Sequence, residues 1–281
     1  SRGDFRRSLT ENLPGYTRVS KKISKPIVNR KLKKKIKQYN PDLILGDKAE
    51  MINPEILEDV PSKKILWFPD DPQLFSLGKK LSKGYDAVLT NSKCVLDNYD
   101  VPAYFFPFPM QDESYYSEKK KEYDVSFVGR CDEKRKRYLE TIADNFENVY
   151  IGGPDWDLEK ENITVENRWI SQQEMIDVYE KSRTVINIVR TREHLTHRLF
   201  EAAATDSVVI TETLSGLREF YSEDEIIDFE DKEEMVKKIE TLLENDSKRA
   251  ETAEKSRKRT FENYTQKGIA RKIIETSKKL G

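Results

Sequence analysis

Short apolar runs alternate with amphipathic stretches along most of this chain. From Val28 to Tyr39 the apolar positions Val28, Leu32, Ile36 and Tyr39 recur at helical spacing, and Pro41 closes the pattern. That spacing predicts one helix with a narrow buried stripe. Three dense runs follow: Asp42 to Leu45 before Gly46, Lys64 to Phe68 before Pro69, and Asp86 to Thr90. Their length and composition predict strands buried on both faces. Helical stretches lie between and after them: Pro54 to Glu58 behind the cap Asn53, Gln73 to Ser82 behind Asp71-Pro72, and Ser92 to Tyr99. Proline at a helix start behind Asp or Asn is a good opening signal.

Beyond Val101 to Phe106 the pattern breaks. Residues 107–121 are proline-rich and then polar, without a period, and predict an interdomain linker. The alternation then restarts. Strands are predicted at Tyr123 to Val128, Asn148 to Ile151, Ile163 to Val165, Thr184 to Val189, Ser207 to Thr211 and Ile226 to Phe229. Helices are predicted at Glu133 to Asn145, from the capping box Ser171-x-x-Glu174 to Lys181, at Leu195 to Thr205, and in three stretches from Lys232 to Leu280. Strand and helix in this rhythm give an α/β fold of two tandem Rossmann-like, doubly wound units. The expected divisions are 1–110, 111–265 and a final helix 266–281 that packs back across both. Ligands in such folds sit beyond the carboxyl ends of the strands, so a site in the cleft between the units is expected.

Length and composition support this picture. The chain has 281 residues, room for about two domains of roughly 150 residues. Fifty Lys and Arg against 51 Asp and Glu leave a net charge of -1, so electrostatic function must be local. Cys94 and Cys131 form no disulfide framework and fit no metal spacing, which favours a reducing compartment. No apolar stretch approaches the ~20 residues of a membrane span, and Ser1-Arg2-Gly3-Asp4 opens no signal peptide. A cytoplasmic protein is expected. The Lys- and Glu-rich surface, poor in Cys, Met and His, resembles that of heat-adapted proteins. The stretch from Leu13 to Asn40 has no acid but holds Arg18, Lys21, Lys22, Lys25, Arg30, Lys31, Lys33, Lys34, Lys35 and Lys37. Residues 18–37 suit peripheral contact with an anionic membrane or polysaccharide, or simply form a solvated helix face. Nucleic acid ranks last, because no aromatic residues suited to stacking bases accompany the charges.

Candidate chemistry concentrates in two runs. In Arg190 to Thr211, Glu193 and Glu201 stand eight residues apart across a loop and a helix start, and Arg198 lies one turn before Glu201. The carboxylates suit convergence on one ligand, with Arg198 a bidentate phosphate donor; an amphipathic helix with solvated ion pairs fits equally. In Val125 to Arg130, Gly129 ends a strand and leads to Arg130, Lys134 and Arg135. Glycine there permits close backbone approach, and the next helix offers its N-terminus and cations to a diphosphate. Asp70 and Asp71 end a strand of the first unit; Asp70 is a candidate base for an acceptor hydroxyl and Asp71 reads as a helix cap. His194 and His197 are the only histidines, either near a donor sugar or merely exposed. Asp155-Trp-Asp157 matches a metal-holding string but reads better as a capped loop.

From about Asp42 to Thr265 the chain resembles the GT-B glycosyltransferases of the CgeB-like, spore-maturation type, relatives of the retaining nucleotide-sugar transferases. The resemblance rests on Trp67 to Pro72, Asp124 to Arg130, Gly152 to Trp156, Arg198 to Ala203, Ser215 to Phe220 and Glu262 to Thr265. It implies transfer of a sugar from a nucleoside-diphosphate-sugar to a glycan, lipid-linked glycan or protein, with retention suggested by the Glu-x7-Glu spacing of Glu193 and Glu201. By resemblance Glu201 holds the donor ribose, Glu193 approaches the sugar or phosphate, and Arg130 with Lys134 or Arg135 neutralises the leaving diphosphate. By resemblance Trp169 lies where a base stacks, although a core or rim tryptophan is the favoured reading of that residue, and Ser215 and Gly216 fall on the donor side. No metal or organic cofactor is expected, the donor being the substrate. The family's first unit opens with a glycine-bearing strand and turn, whereas this chain begins near the following helix, so the expectation is either that residues precede this sequence or that the first unit is shortened. The rival expectation is a catalytically silent nucleotide-sugar-binding or surface-layer protein with the same fold.

Overall fold

The computed structural model describes residues 16–280, without the side chains of residues 16–23. The side chains of Arg18, Lys21 and Lys22, and the chain's first residues, therefore lie outside the described residues. Those described fall into two compact units. One holds residues up to 90, 95–105 and from 276 onward; the other holds 91–94 and 106–275.

The first unit opens with α1 (Tyr16–Tyr39), which begins well before the apolar stripe and contains Pro26. Tyr16, Val19, Ile23 and Ile27 extend the helical spacing of apolar positions towards the start of this helix, past Pro26. A parallel four-stranded sheet follows in sequential order, made of β1 (Leu43–Asp47), β2 (Lys63–Trp67), β3 (Ala87–Thr90) and β4 (Ala103–Phe105). Between β2 and β3 lies α2 (Phe75–Ser82). Leu57, Leu66, Phe68, Leu81, Tyr85 and Val88 form the core, with Ile36 of α1 and Ile44 of β1 against it.

Two expectations change here. Residues 54–58 and 92–99 form 3-10 turns, Pro54–Ile56 and Lys93–Asn98, because one or two turns cannot repay α-helix nucleation. Helix α2 begins at Phe75 rather than Gln73, and Asp71 caps nothing. Its fully buried carboxylate accepts instead from Thr90 Oγ1 at 2.7 Å and Tyr99 OH at 2.8 Å.

The second unit carries a parallel six-stranded sheet in the order β10-β9-β8-β5-β6-β7. Its strands are β5 (Tyr123–Val128), β6 (Val149–Gly152), β7 (Ile163–Glu166), β8 (Ser182–Asn187), β9 (Val208–Glu212) and β10 (Ile227–Phe229). The order runs outward in both directions from the β5–β8 pair, so their carboxyl ends mark the topological switch point. Helices α3 (Glu133–Asn145), α4 (Gln172–Glu180), α5 (His197–Ala203), α6 (Lys232–Glu244), α7 (Asp246–Asn263) and α8 (Gln266–Lys279) complete the chain. Local signals set several starts: Asp132 accepts from Arg135 N–H at α3, and Ser171 and Glu174 form the full capping box at α4. Val125, Phe127, Ile151, Ile186 and Ile210 pack with Leu139 and Ile142 of α3 and with Met235 and Ile239 of α6.

The segment 107–121 is not a free linker. Met110 and Tyr116 are buried against Ile176 and Ala204, and Met110 N–H donates to the Tyr264 carbonyl at 2.8 Å. Its apolar residues are too sparse to show a period, yet each fills a hollow on the second unit.

Candidate functional site

Strands β5 and β8 end side by side, and three arginines gather around them. Arg198, at the start of α5, donates from Nη1 to the Val128 carbonyl at 3.0 Å. Arg135, in the first turn of α3, donates from Nε to the Ile188 carbonyl at 3.1 Å and from Nη1 to the Arg130 carbonyl at 3.0 Å. Both guanidinium carbons lie over the Phe127 ring, at 5.5 Å for Arg198 and 5.6 Å for Arg135. The carbonyls that end a parallel strand thus hold guanidinium groups rather than continuing a ladder. Arg190 stands exposed at the end of the β8 extension, with Nε 3.8 Å from Asp132.

Close packing depends on two glycines. A Cβ at Gly129 would stand 2.3 Å from Arg198 Nη1, and one at Gly153 would stand 2.2 Å from the Gly129 carbonyl oxygen. Gly153 also holds φ at +134°, which side chains rarely adopt.

The electrostatics favour an anion. Burial, with repulsion from Arg198 next, pushes Arg135 down to about 10, and Arg190 adds to the effect. Burial likewise lowers the pKa of Arg198, and the Arg190 charge again opposes its protonated form. Among the described residues Arg198 has no carboxylate partner. A cation so placed gains from a negative ligand more than an exposed, already paired one would. His194 is half-buried nearby; burial first, then the charge of Arg198, pushes its imidazole below the ordinary value. It is neutral near pH 7 and able to donate one hydrogen bond and accept another.

Glu201 is fully buried on α5. Gln172 Nε2 donates to its Oε1 at 2.7 Å, and His197 Nε2 lies 2.9 Å from the same oxygen. Tyr116 OH and, at 3.4 Å, Gln111 N–H donate to Oε2. Four neighbours therefore enclose the carboxylate that the resemblance assigns to a ribose. Gln172 opens α4, and three residues before it Trp169 is 74% exposed beyond the end of β7. Arg135 and Arg198 share the Phe127 ring, Glu201 lies one turn beyond Arg198 and is bonded to Gln172, and Trp169 lies three residues before Gln172.

Other sequence candidates take different places. Arg130 turns away to an exposed pair with Asp155, Nε to Oδ2 2.6 Å. Lys134 donates to the Val189 carbonyl at 2.9 Å and pairs with Glu212 at 2.8 Å, so it is already committed. Asp157 pairs with Lys136 at 2.9 Å, and Trp156 between the two aspartates is buried with its Nε1–H on the Gly129 carbonyl. Glu193 is exposed on the loop before α5, and its carbonyl accepts from Ser92 Oγ at 2.7 Å. Ser215 N–H donates to the Arg192 carbonyl at 2.8 Å, and Gly216 at φ +82° opens a 3-10 turn. Asp70 belongs to the first unit, paired with Lys48 at 2.8 Å.

Sequence reasoning missed Tyr116, Gln172, Arg190 and Glu212. Gln172 sits inside the capping box that was legible, while Glu212 was hidden as one acid closing an apolar run.

The family model described as glycosyl transferase-like matches residues 134–275, just over half of the chain. Solved structures match at low identity. Sucrose-phosphate synthase from Thermosynechococcus elongatus gives a TM-score of 0.66 at 13% identity over 92% of this chain and 78% of its own. HepE from Anabaena, in complex with UDP and glucose, gives 0.66 at 14% identity over 89% of this chain and 82% of its own. A glycosyltransferase from Rickettsia africae gives 0.65 at 14% over 90% and 80%. These likenesses show a GT-B fold. No curated protein sequence matches the chain.

Proposed function

Because the chain belongs to the glycosyl transferase-like family, we propose that it moves a sugar from a nucleoside-diphosphate-sugar to a hydroxyl acceptor on a glycan, a glycolipid or a protein. The observation that carries this reading is the Arg135–Arg198 pair at the β5–β8 switch point, with Arg135 buried, Arg198 half-buried and repelling it, and both held on strand-end carbonyls. Transfer breaks the bond from the anomeric carbon to the diphosphate and forms one to the acceptor oxygen, whose proton leaves. Negative charge grows on the departing phosphate, and fixed guanidinium groups stabilise that growth more than they stabilise the bound donor. These side-chain cations carry the charge in our reading, with no metal required. The solved complex of HepE with UDP and glucose supports a donor of this class.

We assign the diphosphate to Arg135 and Arg198, with Arg190 at its rim and neutral His194 toward the sugar. Glu193, exposed on the same loop, approaches the anomeric centre, and its spacing to Glu201 supports retention of configuration. Glu201 takes the ribose by exchange: hydroxyl groups replace the Gln172 amide as donors, so the buried carboxylate stays satisfied throughout. Trp169 offers its exposed face to the base, with Ser215 and Gly216 bordering the donor. Lys134 and Arg130 are not assigned to phosphate, since each already holds a carboxylate. Asp70 is assigned to the acceptor proton.

A second partner follows from α1. At about 100° per residue, Ile27, Arg30, Lys31, Lys34 and Lys37 share one arc of about 120°, opposite Asn29, Leu32 and Ile36. Those cations are exposed, as is Ile27 at 52%. We assign this face to an anionic lipid surface in a cytoplasmic setting, where apolar Ile27 adds what a soluble polyanion would not reward.

The test is diphosphate release from a panel of nucleoside-diphosphate-sugars, with and without acceptors, by wild type and Arg198→Ala. Release that Arg198→Ala lowers about a hundredfold or more supports transfer. Nucleotide binding without release from any donor would instead establish the silent binding protein.

A further inference from the structure

The pairing of β8 with β9 ends at Asn187 and Thr211. Beyond it the backbone at Val189 needs other partners, and two side chains supply them. Glu212, the last residue of β9, accepts from Val189 N–H at 2.9 Å through Oε2. Lys134 donates to the Val189 carbonyl at 2.9 Å and to Glu212 Oε1 at 2.8 Å. The same carboxylate reaches three residues further, where Arg192 Nε lies 3.4 Å from Oε1. Arg192 is held on its other side by Glu230, through the carboxylate at 2.7 Å and the carbonyl at 2.6 Å.

One fully buried carboxylate therefore grips the chain at Val189 and again at Arg192. Between those grips lie only Arg190 and Thr191. Arg190 is the exposed cation whose charge acts on both Arg135 and Arg198. A four-residue span clamped at each end leaves its backbone little freedom, so the direction in which Arg190 leaves the strand end is set by Glu212. Surface pairing does not account for this arrangement: the Glu212 side chain is 1% exposed, and its burial is tolerable only because a backbone donor and two cations meet it.

We infer that Glu212, braced by Lys134, is a positioning residue that aims Arg190 at the diphosphate of the donor. This rests on the donor reading given above, and it gives Lys134 a supporting task in place of direct phosphate contact. Glu212 touches no substrate in this scheme; it acts through Arg190.

The test uses the full chain with Glu212→Gln, Arg190→Ala and their combination. Gln keeps the shape and an acceptor for Val189 N–H but removes the charge that holds Lys134 and Arg192. Hydrogen exchange across residues 186–193 is expected to rise about tenfold or more in Glu212→Gln, with the rest of the second unit unchanged. Affinity for whichever of UDP, GDP or ADP the wild type binds is expected to fall about tenfold to a hundredfold, as for a misplaced binding group. In the Arg190→Ala background the same change should cost nothing further, because its target is gone. Unchanged exchange in 186–193 overturns the inference, and so does an equal loss of affinity with and without Arg190, which marks general destabilisation. If wild type binds no diphosphate, the donor reading itself fails and takes the inference with it, an outcome distinct from a loss confined to the variants.

Discussion

Two buried acids, one in each unit, are answered in opposite ways. Asp71, after β2 in the four-stranded unit, is met by the hydroxyls of Thr90 and Tyr99 alone, and its Oδ1 has no hydrogen-bond partner. Glu212, at the end of β9 in the six-stranded unit, is met by a backbone N–H and two cations. Burial pushes the Asp71 carboxyl above its ordinary value, only partly offset by the two hydroxyls, and the neighbouring Asp70 adds to the rise. Buried acids in the two units therefore serve different ends: hydroxyl partners leave an acid able to hold its proton, whereas cation partners make it a strut for a charged loop. Arg135 and Arg198 are in turn held by carbonyls, with Asp132 3.6 Å from Arg135 Nη1 the one carboxylate near that pair among the described residues.

The largest expected effect breaks the cationic side. Arg198→Ala should lower kcat/KM for sugar transfer about 10²- to 10³-fold, and Arg198→Lys should recover little, since an ammonium lacks the planar fork. Steady-state kinetics on the preferred donor read this directly. Gly129→Ala should follow, with a loss of about tenfold or more, because the new methyl stands where Arg198 Nη1 now lies. Thermal melts of the same variant should separate this displacement from unfolding.

The acid side is sharpened by pH. Asp71 binds its proton more tightly folded than unfolded, so the native state carries more protons just above the unfolded pKa of about 3.9. Its contribution to stability is full below that value and declines as pH rises through the raised folded pKa. Asp71→Asn should flatten this descent and be neutral or stabilising at pH 7, read from Tm between pH 4 and 7. A wild-type Tm that rose across that window solely through Asp71 would contradict the argument.

Trp169→Ala should weaken nucleoside diphosphate binding about tenfold, the scale of base–aromatic stacking. Titration calorimetry is the check, with the Glu201-centred network left intact. The smallest effect concerns α1. Lys31→Glu with Lys34→Glu should weaken binding to vesicles rich in anionic lipid by about 1 kcal/mol or more per residue, more at low salt than high. Sedimentation with neutral vesicles as the control measures it, and binding to soluble anionic polysaccharide but not to vesicles would reassign the face.

Legibility in the sequence followed locality. Tyr123–Val128 and Glu133–Asn145 fall where apolar periodicity and the cap Asp132 put them. The capping box at Ser171 is present in full. Segment 107–121 was opaque because Met110 and Tyr116 pack on residues far along the chain rather than on each other. The helix start after Asp71 was misplaced for the same reason: a carboxylate that reads as a cap was claimed by Thr90 and Tyr99.

By itself the sequence determined the alternation of strand and helix, the two-unit α/β plan, and the neighbourhood of residues 129–135 and 193–201 as the charged one, because spacing and caps act within a few residues. Tertiary structure alone decided that Arg135 and Arg198 share the Phe127 ring while Arg130 faces Asp155, that Glu201 is enclosed, and that Lys134 serves Glu212. Which cation is spent on a neighbour and which is left for a ligand depends on groups that lie far apart in the chain, and on how far each is stripped of water once they meet.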